Sequence, residues 1–240
     1  MSRAVETSPK SYARIAGWLY LYVIVAGTYA EIFVRDKLVV PGDPAATASN
    51  IMGSELPYRI SIAVEQSYLA CAVAITVILY ALLKPVSKNL SLLAAFFNLV
   101  SIGIEAISGV GLFAASFFYG GTAYLKAFDP NQLDTLAYLS LKSYDYGFGI
   151  SLLFFGCCLF FYGYLMYNSG YFPKTIGVLL IVASMSYLIN SLVLFIAPAL
   201  AGKIFPILVL AFIGELSLCL WLIVKGVDLP KWDAHRLAAS

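Results

Sequence analysis

Long apolar stretches separated by short polar connections dominate this chain of 240 residues. A helix of about 20 predominantly apolar residues can cross the hydrocarbon core of a bilayer, and six stretches reach that length. The pattern therefore predicts an all-α polytopic membrane bundle that forms one integral membrane domain over residues 1–240. Its six transmembrane helices are expected at about residues 12–34, 58–83, 90–118, 141–167, 175–196 and 204–224.

The two longest connections, residues 35–57 and 119–140, each contain an Asp-Pro pair. An aspartate that caps a helix and a proline at the first helical position are typical of helix starts. We therefore expect one short helix from Pro44 to Met52 and a second from Pro130 to about Leu141. With six spans, both short helices lie on the side of the membrane opposite to the termini.

The distribution of basic residues predicts the orientation of the chain. The side that carries both termini has nine of the 15 Lys and Arg residues, and the other side has six on longer connections. Basic residues are enriched on the cytoplasmic side of membrane proteins. Both termini are therefore expected in the cytoplasm, and the two short helices outside the cell.

Composition supports a membrane protein and excludes several other classes. Charged residues are 12% of the chain, whereas about 25% is usual for a soluble domain, so the bilayer is the expected partner. A net charge of +2, with no basic patch, argues against nucleic acid as a partner. The four cysteines lie inside apolar stretches and the only histidine, His235, lies in the tail. We therefore expect no disulfide, no histidine-bound metal and no cofactor. The sequence contains none of the catalytic motifs searched for, so it leaves open whether the protein is an enzyme.

One polar stripe interrupts the third span. At 3.6 residues per turn, one helix face carries Asn98, Ser101, Glu105, Ser108 and Gly109. A carboxylate at the centre of an apolar helix costs roughly 3 kcal/mol on insertion scales. Glu105 therefore needs polar partners from other helices.

Five of the 13 acidic residues fall within the predicted spans. Counted from the outer helix ends at about 1.5 Å per residue, none lies in the cytoplasmic half of the bilayer. Arg35 is assigned to the following connection, so no basic residue is expected deep in a span beside them. The sequence predicts an outward-facing, acid-lined pocket whose core ligand-binding residues are Glu65, Glu105 and Glu215. Asp145 and Asn190 are expected in support, and Glu31 is a further ligand-binding candidate.

Such a pocket suits a cation, or a small cationic or lipidic ligand, in a transporter-like or sensing protein. Oxygen ligands would favour a hard cation over zinc. Two further hypotheses stay open: an intramembrane enzyme that modifies lipid with a pair of carboxyl groups, and a non-catalytic subunit of a membrane assembly.

Each candidate also has a structural interpretation. Glu31 alternatively lies at the membrane interface beside Arg35, and Asp145 alternatively pairs with Lys142 or caps a helix. Asn190 alternatively joins two helices by a hydrogen bond. The other three acids alternatively are neutral carboxyl groups bonded to Ser, Asn or backbone.

Several short strings resemble one family. They are AEIFVR at residues 30–35, PGD at 41–43, DYG at 145–147 and GEL at 214–216. Their order resembles, over about residues 12–226, a bacterial membrane-protein family of unknown function, numbered 4386. The resemblance implies a multi-span helical protein of the bacterial inner membrane and no activity. This chain departs from the family at two positions: it has Tyr144 where His is common and Asn190 where Asp is common. The resemblance therefore implies no histidine-dependent role in this chain.

Overall fold

The computed structural model describes residues 8–119 and 123–238, and over these ranges it contains helices and no β-strand. Six helices are long and apolar enough to cross a membrane, which confirms the predicted polytopic helical bundle. They are Pro9–Leu38, Glu55–Leu83, Lys88–Phe118, Pro130–Ser169, Lys174–Ile196 and Pro198–Val224.

The helices are numbered in chain order. The first membrane-length helix is α1 (Pro9–Thr28), a π-helical segment (Tyr29–Arg35) and α2 (Asp36–Leu38). The next are α3 (Pro44–Gly53), α4 (Glu55–Leu83), α5 (Lys88–Phe118), α6 (Pro130–Ser169) and α7 (Lys174–Ile196). The last are α8 (Pro198–Ile204), α9 (Leu208–Val224) and α10 (Leu229–Ala238), with short 3-10 segments at Ala123–Ala127 and Phe205–Ile207.

The first membrane-length helix is longer than the sequence pattern predicts. It continues past Val34 to Leu38, so Arg35 belongs to the helix and not to the connection after it. The Arg35 residue is only 6% exposed. The expectation that no basic residue would lie beside the acids is therefore wrong, because matching carboxylates allow this guanidinium to be buried.

The two Asp-Pro pairs start helices as expected, with different outcomes. Oδ1 of Asp43 accepts a hydrogen bond of 2.9 Å from the Ala46 N–H, and α3 ends at Gly53. At the second pair, Oε1 of Gln132 accepts from the Asp129 N–H at 3.0 Å. The helix that begins there is not separate from the fourth span, because α6 continues unbroken for 40 residues to Ser169. No proline follows Pro130 within α6 to interrupt its hydrogen bonds.

The chain divides into two compact units. The first unit contains the described residues up to Tyr22, Cys71–Ile102 and the chain from Gly149 onward. The second unit contains Val23–Ala70 and Gly103–Phe148.

Helices of the first unit pack closely at glycines. A Cβ at Gly163 would lie 2.7 Å from the Gly177 carbonyl oxygen, and a Cβ at Gly214 would lie 2.8 Å from that of Leu179. These contacts join α6 to α7 and α7 to α9, which is how small residues act in helix pairs within lipid. The carbonyl of Leu82 accepts hydrogen bonds from the Tyr171 hydroxyl at 2.7 Å and, from α10, the Trp232 indole at 3.0 Å.

Two residues of the polar stripe join helices of this first unit. Nδ2 of Asn98 donates to Oγ1 of Thr76 at 2.7 Å, and Oγ of Ser101 donates to the Ser151 carbonyl at 2.8 Å. Both stripe residues are buried. They therefore hold α5 against α4 and α6.

The second unit has its own apolar core. A Cβ at Gly111 would lie 2.6 Å from the Ser140 carbonyl oxygen, so α5 and α6 can approach closely only with glycine there. The Tyr58 hydroxyl donates to the Leu112 carbonyl at 2.8 Å and joins α4 to α5. The buried members of this core are Val34, Leu38, Ile51, Tyr58, Ile62, Leu112, Ala115, Ala137, Leu141 and Tyr144.

Candidate functional site

Arg35 is the centre of a buried polar cluster in the second unit. Its Nε donates to Oε2 of Glu31 at 2.9 Å, one helical turn earlier, and its Nη1 donates to Oε2 of Glu65 at 2.6 Å. Its Nη2 also donates to the Tyr144 hydroxyl at 3.1 Å. Three helical segments therefore meet at one guanidinium.

The π-helical segment Tyr29–Arg35 carries both Glu31 and Arg35. Such segments are rare in proteins and frequently occur at functional sites. The side chains of Arg35 and Glu31 are 7% and 38% exposed. The pair therefore extends from the accessible surface to the buried carboxylate of Glu65.

Glu65 is the most deeply buried acid of the site, at 0% exposure. Its Oε2 accepts from Arg35 and from the Tyr144 hydroxyl, which lies 3.1 Å away. Its Oε1 is buried and, within the described parts of the chain, has no hydrogen-bond partner. Because an unmade bond at a buried polar atom costs about 1–3 kcal/mol, this oxygen calls for an explanation.

A second unpartnered polar atom lies nearby. Nε2 of Gln66 is buried without a partner among the residues the structure describes. A Cβ at Gly109 would lie 2.5 Å from this nitrogen and 3.9 Å from Oε1 of Glu65. The glycine of the polar stripe therefore makes room for the amide of Gln66 beside the free oxygen of Glu65.

Glu105, the acid of the stripe, is half-buried and accepts a hydrogen bond from the Tyr68 hydroxyl through its Oε1. Tyr68 is on α4, three residues after Glu65. The structure therefore places Glu31, Glu65 and Glu105 in one unit. Arg35 joins Glu31 to Glu65, and the Tyr68 hydroxyl connects Glu105 to α4, the helix that carries Glu65.

Asp145 forms an exposed ion pair. Its Oδ2 lies 2.8 Å from Nζ of Lys142, and both side chains are more than 40% exposed. This geometry matches the alternative pairing of Asp145 with Lys142. Exposed pairs of this kind contribute little to stability.

Glu215 and Asn190 belong to the first unit. Glu215 accepts from the Tyr20 hydroxyl at 2.7 Å and, through its other oxygen, from the Tyr187 hydroxyl. Two phenols thus satisfy both oxygens of this buried carboxyl group. Asn190 is half-buried, and its side chain takes part in no hydrogen bond within the described residues.

Tyr119, the residue after the end of α5, borders a small pocket of the second unit together with Ile51, Met52, Glu55 and Ser116. Burial, with the charge of Asp134 as the smaller cause, raises the pKa of Tyr119 to about 12. The phenol is therefore neutral at physiological pH.

The four cysteines are free thiols. In residues 8–119 and 123–238, no group of three or more His, Cys, Asp or Glu side chains is arranged to hold a metal ion.

Sequence reasoning set Arg35 beside Glu31 only as an alternative and did not connect it with Glu65. It missed Gln66, whose amide lies near Glu65 without a partner among the described residues. It also missed the tyrosines that donate to the acids, which are Tyr20, Tyr68, Tyr144 and Tyr187. One signal was present for Arg35, since Glu31 precedes it by four residues on one helix face. The tyrosines gave no such signal, because the helical period shows the face on which a side chain lies and not which residue of another helix is opposite.

Six membrane-length apolar helices with buried polar clusters define a multi-pass helical membrane protein. The chain belongs to the family described as "Domain of unknown function (DUF4386)", whose model matches residues 15–226. This confirms the family resemblance. It is also similar to an uncharacterized protein of Archaeoglobus fulgidus, at 36% identity over 159 residues, which cover 66% of this chain and 79% of the relative. No solved structure matches it.

Proposed function

We propose that this protein binds a small cation, a proton included, among its membrane-spanning helices and acts as a transporter-like or sensing protein. The binding site consists of Glu65, Glu31 and Glu105. The guanidinium of Arg35 binds the carboxylates of Glu31 and Glu65 and therefore competes with the cation for them. The observation that carries this proposal is the unpartnered Oε1 of the fully buried Glu65.

Charge also favours a cation. Glu31, Glu65 and Arg35 together carry one net negative charge when all three are ionised, and Glu105 adds another. The guanidinium occupies Oε2 of Glu65 and leaves Oε1 to a ligand. Because the positive charge of Arg35 is so close, a singly charged ligand fits better than a divalent ion.

The two alternative functions have less support. An enzyme that uses a pair of carboxyl groups needs both within reach of one substrate atom, whereas Glu31 and Glu65 converge on Arg35. A subunit that binds a partner through its acids needs free acids, whereas these two already have an internal partner.

We also propose that the protein lies in the cytoplasmic membrane, the inner membrane if its host is a bacterium with two membranes. In this proposal both termini are cytoplasmic and the site opens outward. The excess of basic residues on the side of the termini supports this orientation.

Cation binding is tested by thermal unfolding of the purified protein in lipid nanodiscs, followed by tryptophan fluorescence. The probes are NaCl, KCl, CaCl2 and methylammonium chloride at constant ionic strength, and separately a pH series. A cation at 100 times its Kd stabilises the folded state by about 2.7 kcal/mol. We expect at least one monovalent cation or the proton to raise the Tm of the wild type in a saturable way.

Two variants of α4 assign the effect to the site. Glu65→Gln removes the charge of the buried carboxylate and should abolish the dependence of Tm on the cation or on pH. Glu55→Gln is the matched control, because Glu55 lies on the same helix and its side chain is 62% exposed. The proposal is overturned if no cation and no change of pH separates the wild type from Glu65→Gln.

A further inference from the structure

We propose that the bound cation is a proton and that Oε1 of Glu65 is the atom that carries it. This inference rests on the proposed function, since it names the ligand of the same site. Gln66 and Gly109 are then positioning residues that shape the protonated state.

The two oxygens of Glu65 have different surroundings. Oε2 accepts one hydrogen bond from Nη1 of Arg35 at 2.6 Å and one from the Tyr144 hydroxyl at 3.1 Å. Oε1 accepts none from the described residues. A proton on Oε1 leaves both existing bonds in place, whereas a proton on Oε2 would oppose two donors.

The surroundings of Oε1 of Glu65 favour a ligand that can both donate and accept hydrogen bonds. The amide Nε2 of Gln66 is a buried donor without an acceptor, and both atoms lie within 4 Å of the Cβ position of Gly109. A water molecule or a hydronium ion can donate to Oε1 and accept from Nε2. A metal cation could bind Oε1, but it would face the positive N–H end of this amide.

The charges around Glu65 agree with a ligand of one positive charge. The ionisable groups that interact electrostatically with Glu65 are Arg35, Glu31, Tyr58, Tyr68, Glu105 and Tyr144. Protonation brings the Glu31–Arg35–Glu65 set from one negative charge to zero. Arg35 then keeps Glu31 as an ionic partner through two donors.

The transfer step balances without any other reactant. Hydronium gives its proton to Oε1 of the Glu65 carboxylate, so that one O–H bond of hydronium breaks and a carboxyl O–H bond forms. The electron pair of the broken bond stays on the water molecule. That water can then accept a hydrogen bond from Nε2 of Gln66.

Infrared difference spectroscopy tests the inference on the full-length protein in nanodiscs. On acidification, a protonated carboxyl group gives a C=O stretching band that shifts when H2O is replaced by D2O. Each of the 13 acidic residues contributes to this band when it takes up a proton. We therefore expect one component, that of Glu65, to be present in the wild type and in Glu55→Gln and absent in Glu65→Gln. Glu65→Asp keeps a carboxyl group but moves it to different surroundings, so the frequency of its band should change. This variant keeps the inference testable if Glu65→Gln does not fold.

A pair of glycine variants on α5 tests the surroundings of the proton. Gly109→Ala places a methyl group 2.5 Å from Nε2 of Gln66 and forces the amide to move. We expect a change in the apparent proton affinity of about tenfold, or one pH unit. Gly103→Ala is the control, because a Cβ there meets nothing within 4 Å, and it should leave the titration unchanged.

The outcomes separate this inference from the proposed function. If Glu65→Gln removes no component of the band that Glu55→Gln retains, the proton is carried elsewhere and the inference is wrong. If no band changes but Na+ or methylammonium stabilises the wild type and not Glu65→Gln at constant pH, the inference is wrong and the cation site stands. If neither pH nor a cation distinguishes the two proteins, both proposals fail.

Discussion

Nη1 of Arg35 lies 2.6 Å from Oε2 of Glu65, and this ion pair joins the first membrane-length helix to α4 within the second unit. The side chains are 7% and 0% exposed. A buried ion pair contributes little net stability compared with apolar residues, but removal of one partner leaves an uncompensated charge. The pair is therefore better explained by a ligand-dependent role than by stability.

The first prediction concerns the loss of this partner. Arg35→Gln leaves the Glu65 carboxylate without its cation and should reduce the free energy of unfolding by about 3–5 kcal/mol. The measurement is unfolding in mixed micelles with increasing SDS. Arg59→Gln is the control, because the Arg59–Glu55 pair is more than 60% exposed on both sides and should contribute at most about 1 kcal/mol.

A double-mutant cycle checks that the cost arises from the charge. Arg35→Gln combined with Glu65→Gln removes both members of the pair and should cost less than the sum of the single changes, because no unpaired charge remains. Strict additivity of the two changes would contradict a direct coupling between these side chains.

The second prediction concerns the close packing of α6 against α7 in the first unit. Gly163→Ala would place a Cβ 2.7 Å from the Gly177 carbonyl oxygen, so the helices must separate. We expect a loss of about 1–3 kcal/mol, the usual cost of overpacking. Thermal unfolding measures it, with Gly103→Ala as the comparison.

Gly103 lies in a helix interior with open space around its Cβ position. Alanine at such a position normally stabilises a helix by up to about 1 kcal/mol. The two variants should therefore shift Tm in opposite directions. Equal destabilisation by both would show that the Gly163 contact is not what limits packing.

The third prediction concerns the phenols that bind Glu215. Tyr20→Phe removes the donor 2.7 Å from Oε2 of this buried carboxyl group and should cost about 1–3 kcal/mol. Tyr12→Phe, at a position that is 42% exposed on the same helix, should change stability by less than about 0.5 kcal/mol. Chemical or thermal unfolding of both variants in one detergent provides the comparison.

The fourth prediction concerns orientation in the membrane. With the four native cysteines replaced by serine or alanine, we introduce a single cysteine as Ser49→Cys in α3 or Ala234→Cys in α10, both exposed positions. In intact cells, or in spheroplasts where an outer membrane is present, a membrane-impermeant maleimide should label Ser49→Cys only. Labelling of Ala234→Cys before permeabilisation would reverse the proposed orientation.

Much of the architecture followed from local pattern. The six spans were predictable because lipid admits helices whose backbone bonds are all internal, and such helices need long apolar runs. The start of α3 was predictable because Asp43 and Pro44 act within one turn. The end of the first helix was misjudged at Arg35, since a charge normally terminates an apolar run unless a partner is buried with it.

The sequence by itself determined that this is an all-α membrane protein with costly acids inside its spans, because hydrophobic length and helical period are properties of each segment alone. It identified Glu65 and Glu105 as candidates for the same reason. Only the tertiary structure decided what those acids contact. Tyr144 reaches Glu65 across 79 positions of sequence and Tyr20 reaches Glu215 across 195. A helical period gives the face of a side chain but not the helix that packs against it, so the partners depend on how the helices assemble.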